Sequence, residues 1–403
     1  MDHHIMIKLT VSGPSVVLAV LLATISCGRN AEGQVVADSG QLRSALARAR
    51  PGDIIRIAPG RYQGGVFAQD LHGQPGKPIV LRAADPKQPP VFAGDAAGFH
   101  LSRVSHIELR DLTITGSTAN GINIDDGGAI GSPSHHIALI GLVVRDVGPT
   151  GNRDGIKLSG VDDFRVEGVL IERWGSSGSG IDMVGCHRGE IVGSTFRGGG
   201  SEGGNAVQTK GGSSEVAIRR CRFEQAGQRA VNIGGSTGLE FFRPRDATSE
   251  ARAITVEDCT FLGSDAPVAF VGVDGAMVRH NTFYRPRKWA FRVLQETVDP
   301  RFVPSRGGRF TDNIVAFRSD EMTVPINIGD GTAPDTFTLE RNVWFCLDAP
   351  ARSKPRLPIP ETGGRYGVDP GFRDPSRGDL DVPPNSLARP AGPRDPAPAP
   401  AQP

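Results

Sequence analysis

Asn205-Ala206-Val207-Gln208-Thr209-Lys210-Gly211-Gly212 and, one step on, Ala230-Val231-Asn232-Ile233-Gly234-Gly235 decide how this chain is read. Each is a short apolar alternation broken by an amide or a lysine, and each closes on a Gly-Gly pair. Between them runs a second alternating stretch, Ser214 to Phe223. The frame recurs on both sides as Ile122-Asn123-Ile124, Ile156-Lys157-Leu158, Ile181-Asp182-Met183, Val268-Ala269-Phe270, Phe291-Arg292-Val293 and Ile326-Asn327-Ile328. Copies lie about 25 residues apart where the chain is clean and about 35 apart where a loop intervenes, a period that signals stacked repeats.

A second column follows the first. Ser194-Thr195-Phe196, Cys221-Arg222-Phe223, Cys259-Thr260-Phe261, Asn281-Thr282-Phe283, Asn313-Ile314-Val315 and Asn342-Val343-Trp344 keep a small polar residue two positions before a large apolar one. Residues two apart in a strand share a face, so each coil faces one core and turns at a small inward residue. Asparagines stacked there can hydrogen-bond along the column. Cys221 and Cys259 should lie one above the other, as a disulfide or as two thiols. No helical period survives here, and 53 glycines suit tight corners. The all-β rival is an antiparallel sandwich or a propeller. One column recurring in constant order favours the solenoid.

This pattern resembles the right-handed parallel β-helix proteins of carbohydrate metabolism, over residues 38–388. The fold implied is all-β, a right-handed parallel β-helix with a short N-terminal capping helix. The stretch Gln41 to Ala49 supplies that helix, with Leu42, Ala45, Leu46 and Ala49 on one face. It would close the open end of the core, where bare strand edges invite aggregation.

Lys plus Arg is 45 against Asp plus Glu at 44, so no global field attracts nucleic acid. A single unbroken solenoid is expected, acting as a monomer. Residues 1–33 read as a leader: Lys8 precedes an apolar run from Val16 to Ile25 that is too short to span a bilayer. Thr24-Ile25-Ser26-Cys27 approximates a bacterial lipobox with Cys27 as the lipidated residue, and Ala31-Glu32-Gly33 offers ordinary cleavage instead. Either route exports the protein, as an outer-membrane lipoprotein or to the periplasm or exterior. From 389 to 403 the alternation of Pro and Ala reads as a disordered tail. His135-His136 carries no metal on this reading, because neighbours on a strand point to opposite faces.

If the apolar flanks of each repeat face the core, the middle residues form one outer column: Asn123, Lys157, Asp182, Gln208, Asn232, Ala269, Arg292 and Asn327. Ser159, Lys210 and Gly234 share that face two positions on. A solvated polar face is the plain alternative. Against it, the column is rich in amides and single charges rather than the Thr and Val of an idle strand face. The insertion from Gly234 to Ala253, carrying Arg243, starts beside it and can wall a groove. β-Elimination on an acidic polysaccharide needs a neutralised uronate carboxylate, a base for the C5 proton and an acid for the leaving oxygen. Lys210 is the candidate base, with Lys157 two rungs away and Asp182 between them. Gln208, Asn232, Asn205, Arg243 and Arg292 are the candidate substrate contacts, and Arg243 would help lower the lysine's proton affinity.

Gln208-Thr209-Lys210-Gly211, followed a rung later by Val231-Asn232-Ile233-Gly234, resembles the catalytic rungs of the alginate lyase and chondroitinase B family, in which a lysine is the base. The resemblance implies a polysaccharide lyase on uronic-acid glycans. It also implies calcium, held in that family by acidic residues just before the lysine. At those places this chain has Gly203 and Asn205, with Glu202 adjacent, and on the next rung it has Asn232 and Arg229 where the family has an arginine. Two other readings stand. Asn152-Arg153-Asp154-Gly155 with Asp182 one rung on resembles the polygalacturonase type of glycoside hydrolase, which works with two carboxylic acids. A non-catalytic surface protein that binds glycans through the same face is the third.

Overall fold

The structure is a computed structural model that describes residues 33–395. Residues 1–32, with most of the expected leader and the expected lipidation site Cys27, and residues 396–403 lie outside them. Three sheets of thirteen, ten and twelve strands run the length of the described chain, and each strand pairs with the corresponding strand of the coil before and after it. The triplet column fixes this register. Ile122, Ile156, Ile181, Val207, Val231, Val268, Phe291 and Ile326 stand opposite one another, all in parallel pairs, on eight successive rungs of the ten-stranded sheet. Two further rungs, Val66–Gln69 and Ala97–Ser102, extend that sheet toward the N-terminus. The expected right-handed parallel β-helix is the fold.

Helix α1 (Ser39–Arg48) starts two residues earlier than its apolar face predicts. The reason is its cap: Asp38 accepts a hydrogen bond from the Gln41 N–H at 2.8 Å, satisfying one of the free donors of the first turn. Leu42, Ala45 and Leu46 are buried. Inside the coils, the small-residue column forms an amide ladder. Asn281 Nδ2 donates to Asn313 Oδ1 at 3.0 Å, and Asn313 Nδ2 donates to Asn342 Oδ1 at 3.1 Å. Cys221 and Cys259 continue the column as buried, unbonded thiols, with the Cys221 N–H 3.4 Å from Cys259 Sγ. Phe196, Phe223, Phe261 and Phe283 stack in series beneath, ring centres 5.0, 4.6 and 4.8 Å apart.

Two expectations need correction. Residues 389–395 pack on the solenoid: Ala391 is buried with Ile314 and Val343, and Arg394 pairs with Asp258 at 3.0 Å. His135 and His136 do not diverge either. His136 sits at φ +57° and His106, one rung earlier, at φ +52°. The ladder pairs His135 with Ser105 and Ile137 with Ile107 and skips the two left-handed residues between them, His136 and His106. Period-2 reasoning fails where a left-handed residue turns the side chain round.

Candidate functional site

The ten-stranded sheet carries the site. The strands Ile156–Ser159, Ser179–Val184 and Asn205–Lys210 put Lys157, Asp182 and Gln208 in register, with Lys210 opposite Val184. The middle of this outer column is buried, not solvated: Asp182, Gln208 and Asn232 are all nearly inaccessible. The insertion covers them. Glu250, fully buried, anchors its two ends by accepting from the Gly211 N–H at 2.7 Å and the Thr237 N–H at 2.9 Å. Phe242 is buried beside Phe302, with the Arg301 guanidinium 5.1 Å from its ring centre. A cavity of about 480 Å³ results, lined by Lys157, Lys210, Asp125, Thr237, Phe241 and Arg243 among others.

Both lysines turn to one carboxylate. Lys157 Nζ is hydrogen-bonded to Asp182 Oδ2 and lies 3.8 Å from Asp154 Oδ2. Lys210 Nζ lies 3.3 Å from Asp182 Oδ1, an ion pair without hydrogen-bond alignment, and 3.4 Å from Gln208 Oε1. Burial disfavours the Lys157 ammonium, but Asp182 and Asp154 more than offset it and hold its proton affinity above the ordinary lysine value. Asp154 also holds its proton more tightly than usual: burial, then the Asp182 charge, raise it to about 6. Two buried acceptors, Asp182 Oδ1 and Asn205 Oδ1, have no hydrogen-bond donor. Such groups are rare in native interiors, and Asp182 Oδ1 has the Lys210 ammonium 3.3 Å away. A Cβ at Gly235 would stand 2.3 Å from Gln208 Nε2, so glycine keeps this corner open.

The other expected contacts divide. Gln208 keeps its Nε2 free to donate. Asn205 spends its amide on Gln208 Oε1 (3.3 Å), and Asn232 spends its own on the Gly234 carbonyl (3.3 Å) while accepting from Arg229 (3.2 Å). Arg229 also pairs with Glu296 at 2.7 Å. Arg243 does not face the lysines as a free cation. Asp126, buried, takes it in a two-pronged pair at 2.6 and 2.8 Å, so Arg243 locks the insertion. Arg292 lies three rungs from Gln208, stacked 4.5 Å from the Trp289 ring centre and bonded to Asn327 at 2.9 Å.

Sequence reasoning missed the far end of the groove. Asp125 accepts from Ser102 and Asn123 and pairs with His100, each at 2.7 Å. Burial opposes its charge, but these bonds hold its carboxyl below the usual range. Half-exposed Phe67 lies edge-on to His100, 5.2 Å away. Asp125 was findable: it lies two residues past Asn123, on the same face. For calcium the donor set does not fit. Glu202 is the lone carboxylate before Lys210 and is engaged by Ser176 Oγ at 2.9 Å, whereas calcium takes six to eight oxygens. A larger hollow of about 780 Å³ on the twelve-stranded face is lined by arginines and glutamates, several of which pair with each other, such as Arg222–Glu224 and Arg285–Glu321. Those self-satisfied ion pairs leave little for a substrate.

Residues 97–288 match the family described as the right handed beta helix region. No curated protein matches the chain in sequence. Among solved structures it is similar to an alginate lyase from a Paenibacillus species, at 17% identity and TM-score 0.51, covering 74% of this chain and 95% of that one. It is also similar to the A-module of a mannuronan C-5 epimerase from Azotobacter vinelandii, at 15% identity and TM-score 0.54, covering 82% and 96%. At these identities the likeness is one of fold. The chain is a right-handed parallel β-helix protein that resembles carbohydrate-active β-helix proteins.

Proposed function

We propose that this protein is a polysaccharide lyase acting on uronic-acid glycans, with its reacting centre at Lys210, Asp182 and Lys157. The observation that carries the reading is the convergence of two lysines, from rungs two apart, on one buried carboxylate beside a walled cavity. A solvated strand face has no reason to bury such a set, since desolvating charges costs several kcal/mol per ion. The fraction of Lys210 that has lost its proton is the base that takes the C5 proton of a bound uronate. The released electron pair forms the C4–C5 double bond as the C4–oxygen bond breaks, and the ammonium of Lys210 returns the proton to the leaving oxygen. Lys157 and the free Nε2 of Gln208 stabilise negative charge on the sugar carboxylate. The uronate-active names among the fold's relatives, an alginate lyase and a mannuronan epimerase, are consistent with this substrate class. Export through the leader at residues 1–33 would bring the protein to such a polymer.

One observation favours a second reading. Asp154, held at about 6 beside Asp182, has the protonation of a hydrolase's general acid. A panel of uronic-acid and neutral polysaccharides, assayed for both the unsaturated-uronate absorbance and new reducing ends, tests both. Elimination produces both signals, and hydrolysis produces reducing ends alone. Neither signal, with glycan retained on the protein, leaves a binding face.

A further inference from the structure

On the thirteen-stranded sheet, away from the lysine cluster's own sheet, three histidines meet where a column of left-handed residues crosses two rungs. His106 and His136 stand one above the other with ring centres 4.3 Å apart and planes inclined by 33°. His135 stands edge-on to both, 5.4 and 5.0 Å away. One ligand nitrogen from each lies within 4.8 Å of the others, and His135 Nδ1 is 2.8 Å from His136 Nδ1. The left-handed backbone at His106 and His136 makes this possible. On the following rungs the same left-handed position holds Asp163, Arg188 and Glu215, whose side chains likewise leave the ladder.

We propose that His106, His135 and His136 bind a divalent transition-metal ion of the zinc class. Three imidazoles suit zinc, copper or nickel and not the hard, oxygen-seeking calcium or magnesium. Zinc–nitrogen bonds of about 2.0–2.1 Å in a tetrahedral site put neighbouring ligand nitrogens about 3.4 Å apart, between the spacings seen here. Two nitrogens as close as those of His135 and His136 can share one proton, or turn both lone pairs to a cation. His106 has no hydrogen-bond partner among the described residues, so nothing else commits its ring nitrogens. Three protein ligands leave one tetrahedral position for water. The ion would pin one coil to the next near the N-terminal end.

The test is a calorimetric titration of the metal-stripped, full-length chain with zinc sulfate alone. A parallel titration with cobalt(II) reads tetrahedral nitrogen ligation from its visible spectrum. One equivalent should bind wild type and raise its melting temperature. Single His106→Gln, His135→Gln and His136→Gln variants should each weaken binding by about tenfold or more, given that even outer-sphere partners of a metal ligand matter on that scale. The triple variant should bind none at this site. Circular dichroism confirms that each variant is folded, and the partly exposed single positions keep the test usable if the triple variant is not. His3 and His4 remain in every variant, so one-to-one binding that persists unchanged in the triple variant overturns the proposal. So does wild type without saturable binding.

Discussion

Asp154 is the carboxyl of the cluster whose proton affinity burial raises. Its carboxyl holds a proton up to about 6 in the folded chain, against 3.8 as its ordinary value. Between those values the folded state binds more protons than the unfolded one, so this group's contribution to stability falls as pH rises from about 4 to about 6 and is flat above. Asp154→Asn removes that titration and keeps an acceptor for the Ser179 N–H, now bonded at 2.7 Å. Melting curves across this range should show a shallower decline in the variant than in wild type, and parallel slopes would contradict the assignment. The same proton separates the two chemistries. Hydrolysis with Asp154 as acid declines as pH rises through about 6, whereas elimination does not draw on it. Much of this was legible from residues: Lys157, Asp182, Gln208 and Lys210 fall on one face because the triplets are regular. Arg243 was misread because its partner Asp126 lies 117 positions away, with no local signal joining them.

At the scale of elements, the column of small polar residues is what holds coil to coil beneath the site. Asn313 accepts from the Asn281 N–H and from Asn281 Nδ2, both at 3.0 Å, and donates to Asn342 at 3.1 Å, all in the interior. Asn313→Ala leaves the buried Asn281 N–H without an acceptor, while Asn281 Nδ2 keeps the Val256 and Arg279 carbonyls at 3.1 and 2.9 Å, and should cost about 2 kcal/mol in a denaturant titration. A loss below about 0.5 kcal/mol, the scale of an ordinary surface change, would mean the ladder is incidental. This ladder was readable from the Asn-x-Phe spacing alone. The insertion was readable only as an interruption, because its anchors, Glu250 and Phe242, make sense once Gly211, Thr237 and Phe302 are seen around them. The turned backbone at His106 and His136 was invisible, since left-handed φ leaves no trace in an alternation pattern.

The whole molecule is a one-dimensional stack, so its ends need covering and its middle can be specialised. Helix α1 covers one end. Beyond the last coils, the segment from Val382 to Ala391 lies on Ile314 and Val343 and shields that flank. Deleting residues from 384 onward bares this apolar patch and should lower stability by on the order of 2 kcal/mol. An unchanged melting temperature would show that the segment is passive. The stack also explains why Phe67 and His100 at one end of the groove and Arg292 with Trp289 at the other lie along one line. Rungs about 4.8 Å apart form a track for an extended polymer. The central claim is that this track ends in proton abstraction at Lys210, and initial rates on a polyuronate for wild type, Lys210→Ala and Lys210→Arg test it most directly. With all three folded and melting alike, both variants should lose unsaturated product by about a thousandfold, arginine because it keeps its proton at any working pH; a Lys210→Ala protein that releases unsaturated product at the wild-type rate would contradict the account.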